Sequence, residues 1–127
     1  MPLPTAPVTV YGIPNCNTVK SARDWLDRHG VAYVFHDFKK AGVDAALVES
    51  WLPHAGLDVL INRKGTTWRA LSDAQKASVA DTGKAIALMM AQPSVIKRPV
   101  LVVDGTAHVG FSEAAYQGIF RLSGTAA

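Results

Sequence analysis

Cysteine is scarce in this sequence: Cys16 is the only one among 127 residues. A single thiol excludes an internal disulfide and a multi-cysteine zinc site. The absence of disulfides is typical of a reducing compartment, and we therefore expect a cytoplasmic protein. The four histidines lack the spacing of metal ligands, which predicts no metal site. We also expect no bound cofactor.

Long apolar runs and clusters of charge are also missing. No run approaches the roughly 18 residues that cross a membrane, and the proline-containing N-terminus has no basic region typical of a signal peptide. The 13 basic residues exceed the 10 acidic ones, which gives a net charge of +3, but they are scattered along the chain. We therefore expect neither a membrane nor a nucleic-acid partner, whereas a small anionic ligand is compatible with the charge.

The overall composition is that of a globular protein, with 49% hydrophobic and 18% charged residues. A chain of this length buries about two-thirds of its unfolded surface. We predict one domain over residues 1–127, with a core at about 8–121 and a helical insertion at about 44–91. Residues 1–7 and 123–127 are predicted to be a frayed leader and a loose tail.

The first part of the chain has the pattern of a β-α-β unit. A strand is predicted at Val8–Tyr11, and a helix with one apolar face at Asn15–His29. Gly30 can end that helix in the left-handed conformation. The β-branched and aromatic run Val31–His36 predicts a second strand, which should be parallel to the first.

The remaining elements complete a small α/β fold. Asp44 can cap a helix, and further helices are predicted at about 72–80 and 82–91, whereas residues 57–71 suggest an irregular connection. Asp104-Gly105 between two apolar runs predicts a hairpin with a type I′ turn, and Ser112 can cap the last helix. The order β-α-β, helices, β-β-α predicts a four-stranded mixed sheet.

Cys16 is the first candidate for chemistry because it lies where a helix should begin. A lone cysteine is more often a small buried hydrophobic residue, but a helix N-terminus favours anions and hence the reactive thiolate. Without a second cysteine, an external thiol must release any adduct, and glutathione is the natural candidate. Asn17 and Thr18 in the first turn could hold the thiolate or a bound carboxylate, or could serve only as ordinary capping residues.

Three blocks of sequence resemble one known family: YGIPNCNTVKSAR, DVLINRKGTTWRAL and IKRPVLVVDGTAHVGF. In this order they are similar to the ArsC/Spx/YffB family of arsenate-reductase-like proteins, and most similar to its YffB-type branch of glutathione-dependent thiol reductases. The resemblance covers about residues 8–121. It implies a thioredoxin-like fold with a helical insertion between its β-α-β and β-β-α halves.

The resemblance also implies roles for individual residues. Arg63 and Arg98 match positions that face the cysteine, where an arginine fork suits an anion and its charge would lower the thiol pKa. Lys64 could contact a carboxylate of glutathione. The Arg98–Pro99 bond is expected to be cis, with backbone groups of Pro99 exposed beside Cys16.

This sequence differs from the family pattern in three respects, and each bears on which of the family's functions it has. Gly12 stands where arsenate reductases of this family have a histidine, and no arginine occurs from Pro99 to Phe120 to supply their third one. Val19 stands where regulators of the Spx type commonly carry the second cysteine of a Cys-x-x-Cys switch.

We therefore predict a glutathione-dependent monothiol reductase that acts on mixed disulfides or a small oxyanion. Its catalytic residues would be Cys16, Arg98 and Arg63. Glutathione would be its co-substrate, glutaredoxin a further candidate partner, and the protein a monomer. The alternatives are an arsenate reductase, an Spx-like regulator that binds RNA polymerase, and a thioredoxin-like domain with an idle cysteine.

Overall fold

The computed structural model of this chain describes residues 8–120, so the predicted leader and tail lie outside the described residues. The described chain forms two units, one from residues 8–37 and 98–120 and the other from residues 38–97. The predicted helical insertion falls within the second unit. Between residues 8 and 120, no helix is long and apolar enough to cross a membrane.

The first unit is built on a sheet of four strands. These are β1 (Val8–Gly12), β2 (Val34–Asp37), β3 (Val100–Val103) and β4 (Thr106–Val109), in the order β2-β1-β3-β4. The β1–β2 pair is parallel, and the β1–β3 and β3–β4 pairs are antiparallel. The predicted four-stranded mixed sheet is confirmed.

Two helices, α1 (Asn17–Arg28) and α8 (Glu113–Phe120), share an apolar core with the sheet. Trp25 of α1 lies at the centre of their contact. Its ring meets Tyr116 edge-on at 5.5 Å and stacks on Phe120 at 5.7 Å. Strand side chains alternate between faces, which brings every second residue of β1 and β3 into the same core: Val8, Val10, Leu101 and Val103.

The end of α1 determines where the second strand begins. Gly30 adopts φ +70°, and the N–H of Val31 donates to the Leu26 carbonyl at 2.9 Å. Such a left-handed closure satisfies carbonyls of the last helical turn. The predicted start of the strand at Val31 is wrong, because this N–H is bound to the helix, and pairing with β1 begins only at Val34.

The turn between β3 and β4 has the predicted geometry. Asp104 and Gly105 adopt φ 53° and φ 78°, and positive φ at both central residues defines a type I′ turn. Ser112 caps α8 as predicted, since its Oγ accepts from the Ala115 N–H at 3.1 Å. The β-β-α half of the fold is therefore confirmed.

The second unit is helical. Its helices are α2 (Phe38–Ala41), α3 (Ala45–Trp51), α4 (Leu57–Leu60), α5 (Thr66–Arg69), α6 (Asp73–Ser78) and α7 (Thr82–Ala91), followed by a 3₁₀ turn at Pro93–Val95. Asp44 caps α3 as predicted, accepting from the Leu47 N–H at 2.8 Å. The predicted irregular connection at 57–71 is wrong: it contains the one-turn helices α4 and α5, which begin after Gly56 and Gly65 without a side-chain cap.

An isolated antiparallel bridge joins Ile61 to Ile96 within this unit. Backbone hydrogen bonds flank it, from the Asn62 N–H to the Val95 carbonyl at 2.8 Å and from the Lys97 N–H to the Leu60 carbonyl at 2.7 Å. Both isoleucines are buried. The bridge therefore fixes the backbone immediately before Arg63.

Candidate active site

Cys16 is the residue that precedes α1, four residues beyond the end of β1. Its backbone is extended, with φ −128° and ψ 125°, which makes it the N-cap of the helix. Its carbonyl accepts from the Lys20 N–H at 2.9 Å, so the first helical hydrogen bond begins at this residue. The side chain is half-buried. The structure thus confirms that the thiol lies at a helix N-terminus.

The surroundings of Cys16 favour its thiolate. Burial by itself raises the pKa of the Cys16 thiol, but the N–H of Val19, the Arg98 side chain, the N–H of Thr18 and the charge of Arg98 together lower this pKa below its ordinary value. The Cys16 side chain makes no capping hydrogen bond that meets the usual geometric limits for the first turn, although the N–H groups of Thr18 and Val19 lie close enough to favour its anion. These N–H groups therefore act through the anion, which accepts hydrogen bonds far better than a thiol does.

Arg98 is the cation that the structure places beside Cys16. It is partly buried and immediately precedes the buried Pro99. The Arg98–Pro99 bond is cis, as predicted. The Pro99 carbonyl accepts from the Gly110 N–H at 2.8 Å, which ties the residue before β3 to the residue after β4. The backbone next to Arg98 is therefore held in place by a hydrogen bond between the two ends of the β3–β4 hairpin. The prediction that backbone groups of Pro99 are exposed beside Cys16 is wrong, because Pro99 is buried and its carbonyl is already bonded.

Asn17 and Thr18 occupy the first turn of α1, and both side chains are exposed. Thr18 contributes through its backbone N–H, which favours the Cys16 thiolate. A contact of either side chain with a substrate stays a prediction.

Arg63 and Lys64 belong to the second unit and lie in the turn between α4 and α5. Both side chains are exposed. The Arg63 guanidinium lies 5.5 Å from the centre of the Trp68 ring, and the Lys64 N–H donates to Asn62 Oδ1 at 3.2 Å. These contacts give the turn a defined conformation. That the two residues face Cys16 stays a prediction.

Gly12 permits the close approach of β1 to α1. A Cβ at this position would lie 2.9 Å from Cγ2 of Val19, and Val19 is fully buried in the first turns of α1. Carbon atoms in contact are normally about 3.5–4.0 Å apart. A histidine here, as in arsenate reductases of the resembled family, would therefore displace the Val19 side chain or α1 itself.

Replacing Gly12 by alanine should destabilise the protein by about 1–3 kcal/mol, the usual cost of overpacking a well-filled core. Gly118→Ala is the matched control, because a Cβ at Gly118 would meet no atom within 4 Å, and alanine is the better helix former. Urea unfolding of both variants measures the difference. Equal free energies of unfolding for the two variants would contradict the tight fit at Gly12.

The part of the chain that the structure describes offers no group of three metal-ligating side chains. A thiolate at a helix N-terminus beside an arginine can attack a disulfide sulfur or an electrophilic oxyanion.

Comparison with known proteins finds one matching family model and solved structures that are similar along most of this chain. The model of the ArsC family matches residues 11–119. A solved structure named YFFB (PA3664) protein is 50% identical, with a TM-score of 0.83 over 87% of this chain and 96% of that one. An arsenate reductase (ArsC) related protein from Brucella melitensis is 47% identical, with a TM-score of 0.71 over 92% of this chain and 97% of its own.

Sequence relatives extend to proteins with another role. A Haemophilus influenzae protein, described only as uncharacterized, is 41% identical over 89% of this chain and 98% of its own length. The global transcriptional regulator Spx of Streptococcus mutans is 25% identical over 84% of this chain and 77% of its own length. The matched proteins therefore include both arsenate-reductase-related proteins and regulators.

Proposed function

Because this chain belongs to the ArsC family of thioredoxin-fold proteins, we propose that it is a glutathione-dependent monothiol reductase with Cys16 as its nucleophile. One observation carries the proposal: the pKa of the Cys16 thiol is lowered beside Arg98, in a chain that has no other cysteine. A reactive thiolate without an internal partner needs an external thiol to complete a catalytic cycle.

The proposed reaction has two exchange steps. The Cys16 thiolate attacks the glutathione sulfur of a mixed disulfide; the S–S bond of the substrate breaks, and the other sulfur leaves as a thiolate that takes a proton from water. A glutathione thiolate then attacks the glutathione sulfur now bonded to Cys16. This step releases glutathione disulfide and restores the Cys16 thiolate. The substrate sulfur is thereby reduced to a thiol, and one glutathione is oxidised, because the other was already part of a disulfide.

Arg98 stabilises the thiolate between turnovers and binds a carboxylate of glutathione through its planar fork. Arg63 and Lys64 supply further positive charge for a carboxylate of glutathione. Asn17 and Thr18 contact the bound tripeptide from the first turn of α1, and its backbone lies beside the cis Arg98–Pro99 bond. Glutathione is the co-substrate, and no bound cofactor takes part.

Turnover of two substrates tests this proposal. A glutathionylated peptide and arsenate are each supplied with glutathione, glutathione reductase and NADPH, and consumption of NADPH is followed. We expect turnover of the peptide and little turnover of arsenate. Turnover of arsenate alone would reject the proposed substrate class, and absence of turnover with both substrates would reject the reductase.

Arsenate reduction is the second candidate, because a relative of 47% identity is named an arsenate reductase (ArsC) related protein. Cys16 would then attack arsenic, and glutathione with glutaredoxin would complete the reduction. Gly12 and the absence of an arginine from Pro99 to Phe120 argue against it, since the oxyanion would meet fewer cations. An Spx-like regulator is disfavoured by Val19, which replaces the second cysteine of its switch.

A further inference from the structure

An open cleft of about 250 Å³ lies along α1, on the segment that begins one turn beyond Cys16. Its lining is polar and charged: Lys20, Arg23, Asp24, Asp27 and Tyr33. All five residues belong to the first unit. The cleft thus presents two cations and two anions in sequence along one helix, with the cations nearer to Cys16.

Arg23 is held in a defined orientation within this cleft. Its Nε donates to the Tyr33 hydroxyl at 3.2 Å, and its guanidinium carbon lies 4.1 Å from the centre of the Phe35 ring. Neither contact neutralises its charge. An arginine fixed on an aromatic face loses less side-chain freedom when it binds an anion, and its terminal nitrogens suit a carboxylate.

Charges that could cancel within the cleft remain apart. Arg23 and Asp27 stand four residues apart, a spacing at which a helix often forms an ion pair, yet the structure of residues 8–120 shows no ion pair between them, and Asp24 pairs with Arg28 at 3.0 Å. Lys20, Arg23 and Asp27 form no ion pair in this part of the chain. A ligand that carries both signs of charge can engage them together.

The distance from Cys16 limits the length of such a ligand. With a rise of 1.5 Å per residue, Arg23 lies about 10 Å and Asp27 about 16 Å along the helix from Cys16, and helical side chains lean back toward the N-terminus. The sulfur of glutathione belongs to its central residue, so only the γ-glutamyl arm extends along α1. A disulfide places the two cysteine Cα atoms about 5.5 Å apart, and the six bonds from the glutathione cysteine to the γ-glutamyl ammonium add about 7 Å when extended. A tripeptide linked through sulfur to Cys16 therefore reaches the space between Arg23 and Asp27.

We propose that this cleft binds the γ-glutamyl end of glutathione. Its α-carboxylate binds Lys20 and Arg23, and its α-ammonium binds Asp27, while the glutathione sulfur lies at Cys16. The inference rests on the proposed function for the identity of the ligand. The charges on α1 would then select a zwitterionic head group, which a simple thiol or a small oxyanion does not possess.

Binding of S-methylglutathione tests the cleft without thiol chemistry, since its sulfur is blocked. The ligand and its N-acetyl derivative, which lacks the ammonium, are titrated into the full chain and followed by amide NMR shifts. Arg23→Gln should raise the Kd of both ligands about fivefold, whereas Asp27→Asn should raise only that of S-methylglutathione, about threefold, as for partly exposed charge pairs. Lys84→Gln, an exposed lysine of α7, is the control for net charge and should leave both values unchanged.

Saturable shifts at residues 20–33 with this pattern support the cleft. Shifts confined to other residues, equal effects of Asp27→Asn on both ligands, or an effect of Arg23→Gln no larger than that of Lys84→Gln would overturn it. Turnover of a glutathionylated peptide without binding here would reject the cleft alone. Binding here without turnover would reject the reductase and leave the cleft standing.

Discussion

Replacing Cys16 by serine should reduce turnover of a glutathionylated peptide more than roughly a thousandfold, as loss of a nucleophile does in other enzymes. A serine hydroxyl is a weak nucleophile without an adjacent base. No other cysteine can take over, because the chain has none. The rate of peptide reduction under saturating glutathione measures the effect.

Two further variants show whether the loss is specific to the nucleophile. Cys16→Ala should be as inactive as Cys16→Ser, since both lack sulfur. Ser21→Ala changes an exposed residue of the same helix and should keep full activity. Substantial turnover by Cys16→Ser would show that the thiol is idle and would reject the reductase.

Much of the fold could be predicted because local signals agreed with one another. The Asp104-Gly105 pair allows few turns other than type I′, and the structure has the required positive φ at both positions. Asp44 and Ser112 cap helices as their side chains suggest. Together with the apolar runs, these signals specify four strands and their order along the chain.

The errors occur where short hydrogen-bonded turns carry no signal in the pattern of apolar residues. Val31 is β-branched and lies in a strand-like run, but its N–H is bound to the Leu26 carbonyl. The helices α4 and α5 follow glycines, which provide no side-chain cap, and each has only one turn, so hydrophobic periodicity could not indicate them. The short helix Phe38–Ala41 could not be predicted either, because it too has only one turn.

The candidate site could be predicted in part. Cys16 carried a local signal, its place between a strand and a helix, and Arg98 was found through family resemblance rather than through spacing. The fixed orientation of Arg23 could not be predicted, since in the sequence it is one of several charged residues on an amphipathic helix. Its contacts with Tyr33 and Phe35 join residues that lie 10 and 12 positions away, and only the folded β-α-β unit brings them together.

Replacing Arg98 by alanine should slow peptide reduction about 10- to 100-fold, which corresponds to the loss of a hydrogen bond between charged groups. The same change should raise the pKa of the Cys16 thiol, because Arg98 now lowers it through a hydrogen bond and through its charge. Alkylation of Cys16 by iodoacetamide, measured against pH, reports this pKa. The midpoint of the rate curve should move to higher pH.

The pH dependence of alkylation and of turnover separates the two roles of Arg98, which are lowering the pKa of the Cys16 thiol and binding glutathione. Below both midpoints the variant should react more slowly, since less of its thiol is ionised; above both, the rates should converge, because each protein is then fully thiolate. Turnover should remain slow at high pH if Arg98 also binds glutathione, and should recover if Arg98 acts on the pKa alone. Lys97→Ala is the control, because it removes an exposed neighbouring charge; it should change neither the midpoint of the alkylation curve nor the turnover rate. An unchanged midpoint in Arg98→Ala would show that the guanidinium does not act on the Cys16 thiolate.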